Sequence, residues 1–522
     1  MKTLFINVSI RPQAPHRQLP VGLGYVVTLA KEAGFDFDIL DIDIERLSDD
    51  EVEKFLSKNH YDVIAFGAIV THYRWVKWLI HTIKEHQPAC KVIVGNSVGE
   101  SIPEILFAAS PVDIVVLSEG EVTMVEVLSA LKEGKSLGEA IEPEIPVLHT
   151  NGHYPSTIKG EGVSGIVFRD EKERLVNTGL RKAVRKIDDL PYPDWDLFDI
   201  ERYVNAARLT VRGKVTRFDK NSANVMPVNT ARGCVFKCTF CHYTQWNDPY
   251  RHRSAESVIG EIRRNQKKYG ANYINFWDDL TFHKLGPAEK FVDALLEADL
   301  GIHWTAAIRM DLFGRLDIPR EDRIRVATKF RDAGAVVLGY SLESANAEIL
   351  KAMNKRVEAE YFEEQINLLR EVGDLVSATS VVFGYPEETK ETIAETMNLC
   401  HKLKIYPSPG FLLPLPATGM WRHAVENGYI EDTEHFLATL TERQDIVLNM
   451  TKMGDEELFN EVTNWLRRLN EGMNLGFKEE NLIKTGGIQK HTQNQVEELE
   501  KHQKPHGALN PELNYASVEG GI

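Results

Sequence analysis

Hydrophobic positions in the first 144 residues form short runs rich in β-branched residues, and amphipathic segments separate these runs. The runs are KTLFINVSI, DFDILDID, YDVIAFGAIV, KVIVGNS and VDIVVLSEG, and the segments between them include VGLGYVVTLAKEAG and YRWVKWLIHTIKEH. Nearly continuous apolar strands that alternate with helices are typical of a parallel sheet covered on both faces. The pattern therefore predicts a doubly wound, Rossmann-like α/β domain for residues 1–144.

In a sheet of this kind, ligands bind outside the carboxyl ends of the strands. The predicted loops at those ends are residues 11–24, 71–75, 95–101 and 118–123. We expect any ligand of this domain to contact these loops.

Residues 145–222 have a different pattern. GIVFRDEKERLVNTG predicts a strand, a charged turn and a second strand, and IDDLPYPDWDLFD is an irregular stretch rich in Pro and Asp. We interpret this region as a linker with a small hairpin and without obvious chemistry.

Alternation of strands and helices resumes in residues 223–425 with six successive units. The pattern predicts helices at 254–269, 287–299, 319–333, 358–372 and 387–403. Repeated units of this kind favour a partial (β/α)6 barrel of the TIM type, whose working face is at the carboxyl ends of its strands. Residues 426–522 are predicted to be a helical C-terminal region that becomes a solvated helix and polar tail beyond 485.

Composition narrows the possible functions. The formal net charge of −16 opposes a general attraction to phosphate backbones, so nucleic acid is not an expected partner. No stretch approaches the roughly 18 apolar residues of a membrane span, and the N-terminus lacks the pattern of a signal peptide. We therefore expect a cytoplasmic protein without a transmembrane segment.

Three of the five cysteines, Cys234, Cys238 and Cys241, lie within eight positions in ARGCVFKCTFCHY, directly after the first predicted barrel strand. Thiolates at this spacing on a tight loop can converge on an iron–sulfur cluster. Three ligands leave one iron of a cubane open to a substrate or cofactor, as in catalytic metal sites. The alternative is a zinc site, for which the adjacent His242 could provide the fourth ligand.

RGCVFKCTFC resembles the signature of the radical S-adenosylmethionine (radical SAM) enzymes, in which an aromatic residue, here Phe240, precedes the third cysteine. YRHRSAESVIGEI, INFWDDLTF, IHWTAAIRMD, LGYSLESANAEILKAMNK, VVFGYPEETKETIAET and LLPLPATGMW resemble successive strand-end segments of that barrel, so the likeness covers roughly 225–425. PVGLGYVVTLAKEAGFDFDILD, VIVGNSVGES and VDIVVLSEGEVTMVEVL are similar to the cobalamin-binding domain that precedes the barrel in the largest subclass.

The resemblance implies that Cys234, Cys238 and Cys241 hold a 4Fe-4S cluster whose fourth iron chelates SAM. Reductive cleavage of SAM would then give a 5′-deoxyadenosyl radical that removes hydrogen from an unactivated carbon of a small-molecule substrate. In the cobalamin subclass the substrate radical commonly takes a methyl group from methylcobalamin, so we expect a methyltransferase. The family also implies a reductant such as flavodoxin or ferredoxin, and a site between the two domains.

The resemblance also suggests residues that bind SAM. Glu343 and Ser344 match the place where the family contacts the ribose and amino group of SAM, although Glu343 could instead cap the next helix. Arg309 is expected to meet the SAM carboxylate, and a salt bridge with Asp311 or Asp278 is the alternative.

Two further positions near strand ends follow from the same likeness. Of Asp278 and Asp279, one is expected to bind SAM or substrate and the other to cap the following helix. Gly384 and Pro386 resemble a family loop beside the adenine, although a turn requirement alone would explain them.

For cobalamin, the sequence lacks the Asp-x-His-x-x-Gly motif that supplies a lower axial histidine, and an ordinary loop residue is the preferred interpretation of His16. We expect a corrin held by backbone and small residues at strand ends, namely Gly95, Asn96, Ser97, Glu119 and Gly120. Gly22 and Gly24 either allow close approach of the chain or pack a helix against the sheet.

The number of cysteines disfavours some classes of radical SAM enzyme. Methylthiotransferases need further cysteine groups, yet only Cys90 and Cys400 remain, and both are expected to be buried apolar residues. A radical SAM cyclase or rearrangement enzyme and a zinc-bearing binding protein remain as alternatives. Aromatic residues near strand ends either line a pocket or pack the barrel: Trp277, Phe282, Trp304, Tyr340, Phe383 and Trp421.

Overall fold

The computed structural model describes residues 1–483 except 13, 15, 142–145, 148–156, 212–217, 243–248 and 442. Its N-terminal part begins with five strands and seven helices. The strands are β1 (Thr3–Asn7), β2 (Phe37–Asp41), β3 (Val63–Gly67), β4 (Lys91–Gly95) and β5 (Ile114–Val116). The helices are α1 (Val21–Glu32), α2 (Ile42–Glu45), α3 (Asp49–Lys58), α4 (Tyr73–His86), α5 (Asn96–Ser101), α6 (Pro103–Ala109) and α7 (Glu121–Glu133).

These five strands are parallel and lie in the order β2-β1-β3-β4-β5. The chain reverses direction across the sheet between β1 and β3, and in doubly wound sheets such a switch point is where ligands bind. The predicted doubly wound sheet is confirmed.

The same sheet continues with β6 (Gly138–Ala140), β7 (Pro146–Val147), β8 (Thr157–Gly162), β9 (Ile166–Arg169) and β10 (Leu175–Asn177). Strands β9 and β10 form the hairpin predicted from GIVFRDEKERLVNTG, and β9 pairs antiparallel with β5. The hairpin is thus an extension of the N-terminal sheet and not an independent part of a linker.

The segment after the hairpin packs against α1 and contains α8 (Ile200–Ala207). Trp195 is fully buried, and a Cβ atom on Gly24 would lie 2.7 Å from its ring. Gly24 therefore allows close packing between α1 and this segment, which was one of the two interpretations of that glycine.

A second parallel sheet forms the barrel. Its strands are β11 (Val225–Val228), β14 (Tyr273–Phe276), β15 (His303–Ala307), β16 (Ala335–Gly339) and β17 (Val376–Ala378), in that order. β18 (Ser380–Phe383) continues from β17, bridges to Glu343 and pairs with β19 (Ser408–Phe411). A two-stranded antiparallel ribbon of β12 (Ala231–Arg232) and β13 (Arg251–His252) follows β11.

Helices α9 (Ala255–Tyr269), α10 (Leu285–Ala298), α11 (Arg320–Asp332), α12 (Ala347–Ala352), α13 (Ala359–Val372) and α14 (Lys390–Lys402) connect the barrel strands. Counting β17 and β18 as one interrupted strand gives six strand positions in the described residues, so the predicted partial barrel is confirmed. Helices α15 (Gly419–Glu426), α16 (Thr433–Thr439) and α17 (Asp455–Gly472) follow. The predicted solvated helix and polar tail beyond 485 lie outside the described residues.

The N-terminal domain shares an apolar core with the C-terminal helical region. One cluster of buried side chains contains Tyr73 and Leu79 of α4 together with Phe436 and Leu437 of α16. At its edge, Lys77 of α4 forms an ion pair with Glu434 at 2.5 Å. In the described part of the chain, no helix is both long enough and apolar enough to cross a membrane.

Most of the strand-end aromatic residues pack the barrel. Phe282, Trp304, Tyr340 and Phe383 are at most 4% exposed. Trp277, at the carboxyl end of β14, differs because 47% of its surface is exposed.

Candidate active site

The loop with the three clustered cysteines lies between the two strands of the β12–β13 ribbon, at the carboxyl end of β11. Cys234, Cys238 and Cys241 form no disulfide and have intermediate exposure, whereas Cys90 and Cys400 are buried, as predicted. The three partly exposed thiols therefore lie at the barrel mouth.

Thr239, inside this loop, fixes its path across the barrel mouth. Its N–H donates to Met353 O at 3.0 Å and its hydroxyl donates to Ala352 O at 2.9 Å. Its carbonyl accepts from Met420 N–H at 2.9 Å, and its hydroxyl lies 3.0 Å from the hydroxyl of Tyr385. The loop is thus attached to segments that follow β16, β18 and β19.

Asp278, at the end of β14, anchors the residues that lead into the ribbon. Its carboxylate accepts hydrogen bonds from the N–H groups of Thr230 and Ala231 at 2.7 and 2.9 Å, and from the side chains of Asn229, Thr230 and Thr281. The N-cap residue of α10 is Lys284, without a side-chain cap, so the predicted capping role of Asp278 or Asp279 is wrong. The hydrogen bonds of Asp278 are therefore made to other groups of the protein, and they fix the start of the cysteine ribbon.

Charged groups surround the cysteines and act on their thiols in opposite directions. Burial raises the pKa of Cys234 and Cys238, and the Asp279 carboxylate raises the pKa of Cys234 further. The cations of Lys355 and Arg309 lower both pKa values. Because metals bind the thiolate form, these two cations favour ligation.

Glu343 lies in a strained position in the loop after β16. Its φ of 61° is in the left-handed region, and its carboxylate pairs with Lys355 at 3.0 Å. The cap of α12 is Asn346, whose side chain accepts from two backbone N–H groups, so Glu343 does not cap this helix. Ser344 is buried, and its hydroxyl accepts a hydrogen bond from Asn346 N–H at 3.1 Å.

Arg309 forms the alternative contact that we considered, an ion pair with Asp311 at 2.5 Å. Its guanidinium group also lies 3.6 Å from the centre of the Phe236 ring, in the cysteine loop. Arg309 therefore packs directly against the loop, where a cation–π contact contributes to its position. Sequence reasoning did not identify Phe236, because its role depends on this non-local contact.

Gly384 directly follows β18. Its φ of +102° is unfavourable for residues with a side chain, which explains the glycine. The ring of Phe240 contacts that of Tyr385 edge-on, with centroids 6.5 Å apart. Gly384 thus precedes a residue that contacts the cysteine loop, and its place beside the adenine of SAM stays a prediction.

At the carboxyl edge of the N-terminal sheet, two non-glycine residues have left-handed backbones, Asn96 after β4 and Ser118 after β5, with φ of 64° and 59°. The hydroxyl of Ser97 accepts from Val70 N–H at 3.0 Å and so joins the loops after β3 and β4. Strained backbones of this kind are concentrated at ligand sites.

Three glycines lie at the same edge, Gly22, Gly95 and Gly120. A Cβ atom on Gly22 would meet no atom within 4 Å, and one on Gly95 or Gly120 would make only ordinary contacts beyond 3.6 Å. No protein atom near Gly22 would clash with a side chain at this position. The same open space would allow a ligand to approach the backbone.

Glu119 contacts the barrel. Its carboxylate accepts hydrogen bonds from both terminal nitrogens of Arg251, at 2.7 and 3.1 Å, and pairs with Arg232 at 3.1 Å. Arg232 also pairs with Glu121 at 2.7 Å and lies over the ring of Tyr25. Glu119 was predicted as a corrin contact, but here its side chain links the N-terminal domain to the cysteine ribbon.

Comparison with known proteins agrees with this arrangement. Residues 228–400 match the model of the radical SAM superfamily, and residues 13–128 match the model of the B12 binding domain. The chain belongs to the cobalamin-dependent radical SAM enzymes. The predicted cofactors, a 4Fe-4S cluster, SAM and cobalamin, are confirmed by these two family matches.

Two solved cobalamin-dependent radical SAM enzymes have a similar fold. TsrM from Kitasatospora setae aligns with a TM-score of 0.58 at 16% identity, over 82% of this chain and 78% of its own. OxsB aligns with a TM-score of 0.60 at 16% identity, over 91% of this chain and 61% of its own.

Curated relatives differ in activity. The uncharacterized methyltransferase PH0819 of Pyrococcus horikoshii is 25% identical over 79% of both chains. The cytidylyl-2-hydroxyethylphosphonate methyltransferase of Streptomyces wedmorensis is 23% identical over 88% of both. The anaerobic magnesium-protoporphyrin IX monomethyl ester cyclase of Rubrivivax gelatinosus is 25% identical over 73% of this chain and 61% of its own.

The donor set of this cobalamin-dependent radical SAM enzyme fits a cluster. Three cysteines without disulfides lie on one loop beside two cations, and thiolate is the ligand that iron–sulfur clusters require. Among the described residues, no three His, Cys, Asp or Glu side chains converge on a position for a single metal ion, as the zinc alternative would need. A cluster has a different requirement, because each thiolate binds its own iron.

Two histidines near these sites stand out. Burial lowers the pKa of His242 to about 4, and neither ring nitrogen has a hydrogen-bond partner in the described structure. Burial also lowers the pKa of His72 to about 4, and His72 lies in the loop after β3, at the switch point of the sheet. His72 was not among the residues predicted near the corrin, because its burial could not be predicted from the sequence.

Proposed function

We propose that this enzyme is a cobalamin-dependent radical SAM methyltransferase that methylates an unactivated carbon of a small molecule. The observation that carries the proposal is the ion pair between Glu119 and Arg251, which joins the carboxyl edge of the B12-binding sheet to the ribbon with the cysteines. A methyl donor and a radical generator must face the same substrate, and this contact fixes the two edges relative to each other. The methyltransferases among the relatives support the same activity.

Residue roles in the radical SAM half follow from position. Cys234, Cys238 and Cys241 would hold three irons of the cluster and leave the fourth for the amino and carboxylate groups of SAM. Glu343 would accept from the SAM amino group, and Arg309 would approach its carboxylate. The remaining contacts with SAM are assigned to Phe240, Ser344 and Gly384, and Asp278 would act through the ribbon that it anchors.

In the B12-binding half, Gly22, Gly95, Asn96, Ser97 and Gly120 would contact the corrin through backbone and small side chains. Glu119 would position the cysteine ribbon and would not touch the corrin. When bound, SAM and the reduced cluster supply a 5′-deoxyadenosyl radical, and methylcobalamin supplies the methyl group. The protein holds both cofactors at one interface and keeps water from it.

The proposal includes a one-electron donor such as flavodoxin or ferredoxin and a cytoplasmic location. We also propose that the N-terminal domain extends beyond residue 144 to include β10, because β9 and β10 belong to its sheet. The barrel domain keeps the proposed bounds 223–425, and the C-terminal region the bounds 426–522.

A labelling experiment tests the function. The anaerobically reconstituted enzyme is incubated with reductant, methyl-labelled SAM and cell extract, and metabolites are searched for label. A labelled small molecule is the expected result. Formation of 5′-deoxyadenosine without any labelled product would contradict methyl transfer.

That second outcome would favour a cyclase or rearrangement enzyme. The similarity to the Rubrivivax gelatinosus cyclase over 73% of this chain is the observation that supports this alternative. A radical SAM enzyme of either kind cleaves SAM, so a variant without the cluster should lose 5′-deoxyadenosine formation in both cases.

A further inference from the structure

The inward-facing positions of the barrel strands are small or polar. Phe276 of β14 packs outward against Phe291 of α10, with ring centroids 5.9 Å apart. Because side chains alternate along a strand, Asn275 faces the barrel interior. Pairing in register places the same face of the neighbouring strands at Thr305, Ala307, Gly339 and Ala378. All five residues are only partly buried, so the bulky side chains that pack other barrels do not fill these positions.

Aromatic residues close the amino end of this interior. The ring centroid of Phe218 lies 5.5 Å from that of Tyr273 and 4.6 Å from that of His303. Tyr273 and His303 are the first residues of β14 and β15. A ligand therefore approaches the interior from the carboxyl end of the strands, where the cysteine ribbon meets the B12-binding sheet.

Gln18 of the N-terminal domain reaches into this interior from the loop after β1. The side chain of Asn275 donates to Gln18 Oε1 at 3.2 Å, across 257 positions of sequence. Gln18 lies at the carboxyl edge of the B12-binding sheet, and β14 pairs with β11, which leads to the cysteine ribbon. The contact is therefore placed between the two regions assigned to the cofactors.

Arg17 holds the loop that carries Gln18. Its guanidinium group donates to the backbone oxygens of Pro12 and His16 at 3.0 and 2.8 Å. It also pairs with Asp43 of α2 at 2.9 Å, and the Arg17 side chain is only 3% exposed. The loop is thus fixed within its own domain, so the position of Gln18 does not depend on Asn275 alone. Polar groups that are fixed in advance favour selective binding.

The amide pair of Gln18 and Asn275 keeps unused hydrogen-bonding groups. A primary amide has two N–H donors and a carbonyl acceptor, so one bond between two amides leaves a donor on one and an acceptor on the other, whichever way they are turned. In the described part of the chain, the side-chain nitrogen of Gln18 and the side-chain oxygen of Asn275 have no protein partner. Thr305 differs, because its hydroxyl donates to Val337 O at 2.9 Å.

Trp277 adds a flat apolar surface beside the amide pair. It follows Asn275 by two residues, on the same side of the strand, and is 47% exposed. A ligand group that leaves neither amide unpaired must itself carry a carbonyl oxygen and an N–H group side by side. Planar groups of this kind can also lie against an aromatic ring.

We propose that Gln18 and Asn275 bind a carboxamide or lactam group of the substrate. The inference rests on the proposed function and adds the class of the substrate, a small molecule with an amide edge. The N–H of Gln18 would donate to the substrate carbonyl, and the substrate N–H would donate to Asn275 Oδ1. A carboxylate would accept from Gln18 but would leave Asn275 Oδ1 without a donor, so it is disfavoured.

Gln18→Glu tests the proposal, because glutamate has the same shape and still accepts from Asn275 but has no N–H to offer a ligand. Unmodified and variant enzymes are reconstituted anaerobically and incubated with reductant, methyl-labelled SAM and increasing amounts of cell extract. We expect incorporation of label at low extract concentration to fall by about tenfold or more, mainly through an increased apparent KM. Mass spectrometry should show an amide or lactam in the labelled product.

Two controls separate substrate binding from other effects. The amount of bound cobalamin, measured by its corrinoid absorption, should be the same in Gln18→Glu and the unmodified enzyme. Asn221→Asp is the matched variant, because it makes the same change of charge on an exposed side chain before β11. It should leave both bound cobalamin and incorporation of label unchanged.

Equal incorporation of label by Gln18→Glu and the unmodified enzyme would overturn the proposal, as would a labelled product without an amide or lactam. Loss of cobalamin from Gln18→Glu would also overturn it, because the pair would then bind the corrin. Should this variant fail to fold, Asn275→Asp gives the same decision, since its bond with the Gln18 amide leaves oxygen atoms where the donor was.

Failure of the proposed function has a different signature. If the unmodified enzyme forms 5′-deoxyadenosine but labels no metabolite, methyl transfer is contradicted. Amide recognition is then decided by the extract metabolites that the unmodified enzyme consumes. These should carry an amide or lactam and should persist with Gln18→Glu, and their equal consumption by both enzymes would overturn the proposal.

Discussion

Glu119 in the loop after β5 and Arg251 in the cysteine ribbon form a bidentate ion pair, with oxygen–nitrogen distances of 2.7 and 3.1 Å. The side chains are 17% and 7% exposed. Burial raises the pKa of Glu119, but the hydrogen bond from Arg251 and the charge of Arg232 outweigh this effect and hold the pKa below its usual value. The carboxylate is thus ionised and bound to two arginines across the domain interface.

Removing this carboxylate should destabilise the protein. Glu119→Ala would leave the partly buried Arg251 and Arg232 without their shared partner, which typically costs about 3–5 kcal/mol. The measurement is the free energy of unfolding from guanidinium titrations. Glu45→Ala is the matched control, because its ion pair with Arg202 is 48% and 44% exposed. That pair should contribute less than about 1 kcal/mol, and equal losses in the two variants would contradict a structural role for Glu119.

Cys238→Ala should abolish the cluster. This variant would lack one of the three proposed protein ligands, so the broad iron–sulfur absorption and the formation of 5′-deoxyadenosine should fall to background in reconstituted protein. Cys90→Ala is the control, since Cys90 is 2% exposed and far from the ribbon in sequence. It should keep both signals, and SAM cleavage that survives in Cys238→Ala would rule out the assigned ligand set.

Local pattern was sufficient to predict the architecture. The spacing of apolar residues predicted a helix at 254–269, and α9 is Ala255–Tyr269. It also predicted a helix at 358–372, and α13 is Ala359–Val372. The cysteine trio was also readable, because its spacing is local. Such features depend on neighbours in the sequence and need no knowledge of the tertiary structure.

Partners that are distant in sequence could not be predicted. Glu119 and Arg251 are 132 positions apart, and Asp278 bonds to residues 47 to 49 positions away. In the sequence, an acidic residue at a strand end suggests a ligand contact. In the structure, the carboxylates of Glu119 and Asp278 instead accept hydrogen bonds from other groups of the protein. The hairpin of β9 and β10 was recognised, but its pairing with β5 was missed for the same reason.

Trp277 and Trp304 should respond very differently to truncation. Trp304 is completely buried, so Trp304→Ala should cost about 3–5 kcal/mol of unfolding free energy. Trp277 is 47% exposed at the carboxyl end of β14, so Trp277→Ala should change stability by only about 0.5 kcal/mol.

The exposed ring of Trp277 at the barrel mouth is suited to contact the substrate. Incorporation of label should therefore decrease in Trp277→Ala while unfolding is unchanged, and unaltered incorporation would exclude this contact.

Glu388, in the loop after β18, should make stability depend on pH. Burial raises its pKa from 4.5 to about 7, although hydrogen bonds from Thr392 and Gly384 lower it, and one of its oxygens has no partner in the described structure. Below pH 4.5 the carboxyl is protonated in both folded and unfolded chains. Between pH 4.5 and 7 the folded state binds this proton more strongly than the unfolded state does. The stability that the protonated carboxyl contributes is therefore lost as the pH rises through 7.

Glu388→Gln, which mimics the protonated carboxyl, should therefore gain stability relative to the unmodified enzyme between pH 4.5 and 7, by on the order of 3 kcal/mol in total. Denaturant titrations across this range measure the gain. Glu387→Gln is the matched control, because the neighbouring Glu387 is exposed and its substitution should change the free energy of unfolding by no more than about 0.5 kcal/mol. If the two variants followed the same pH profile, Glu388 would have to be ionised in the folded protein, and the loop that contains Gly384 would be held by a charged carboxylate instead of a neutral one.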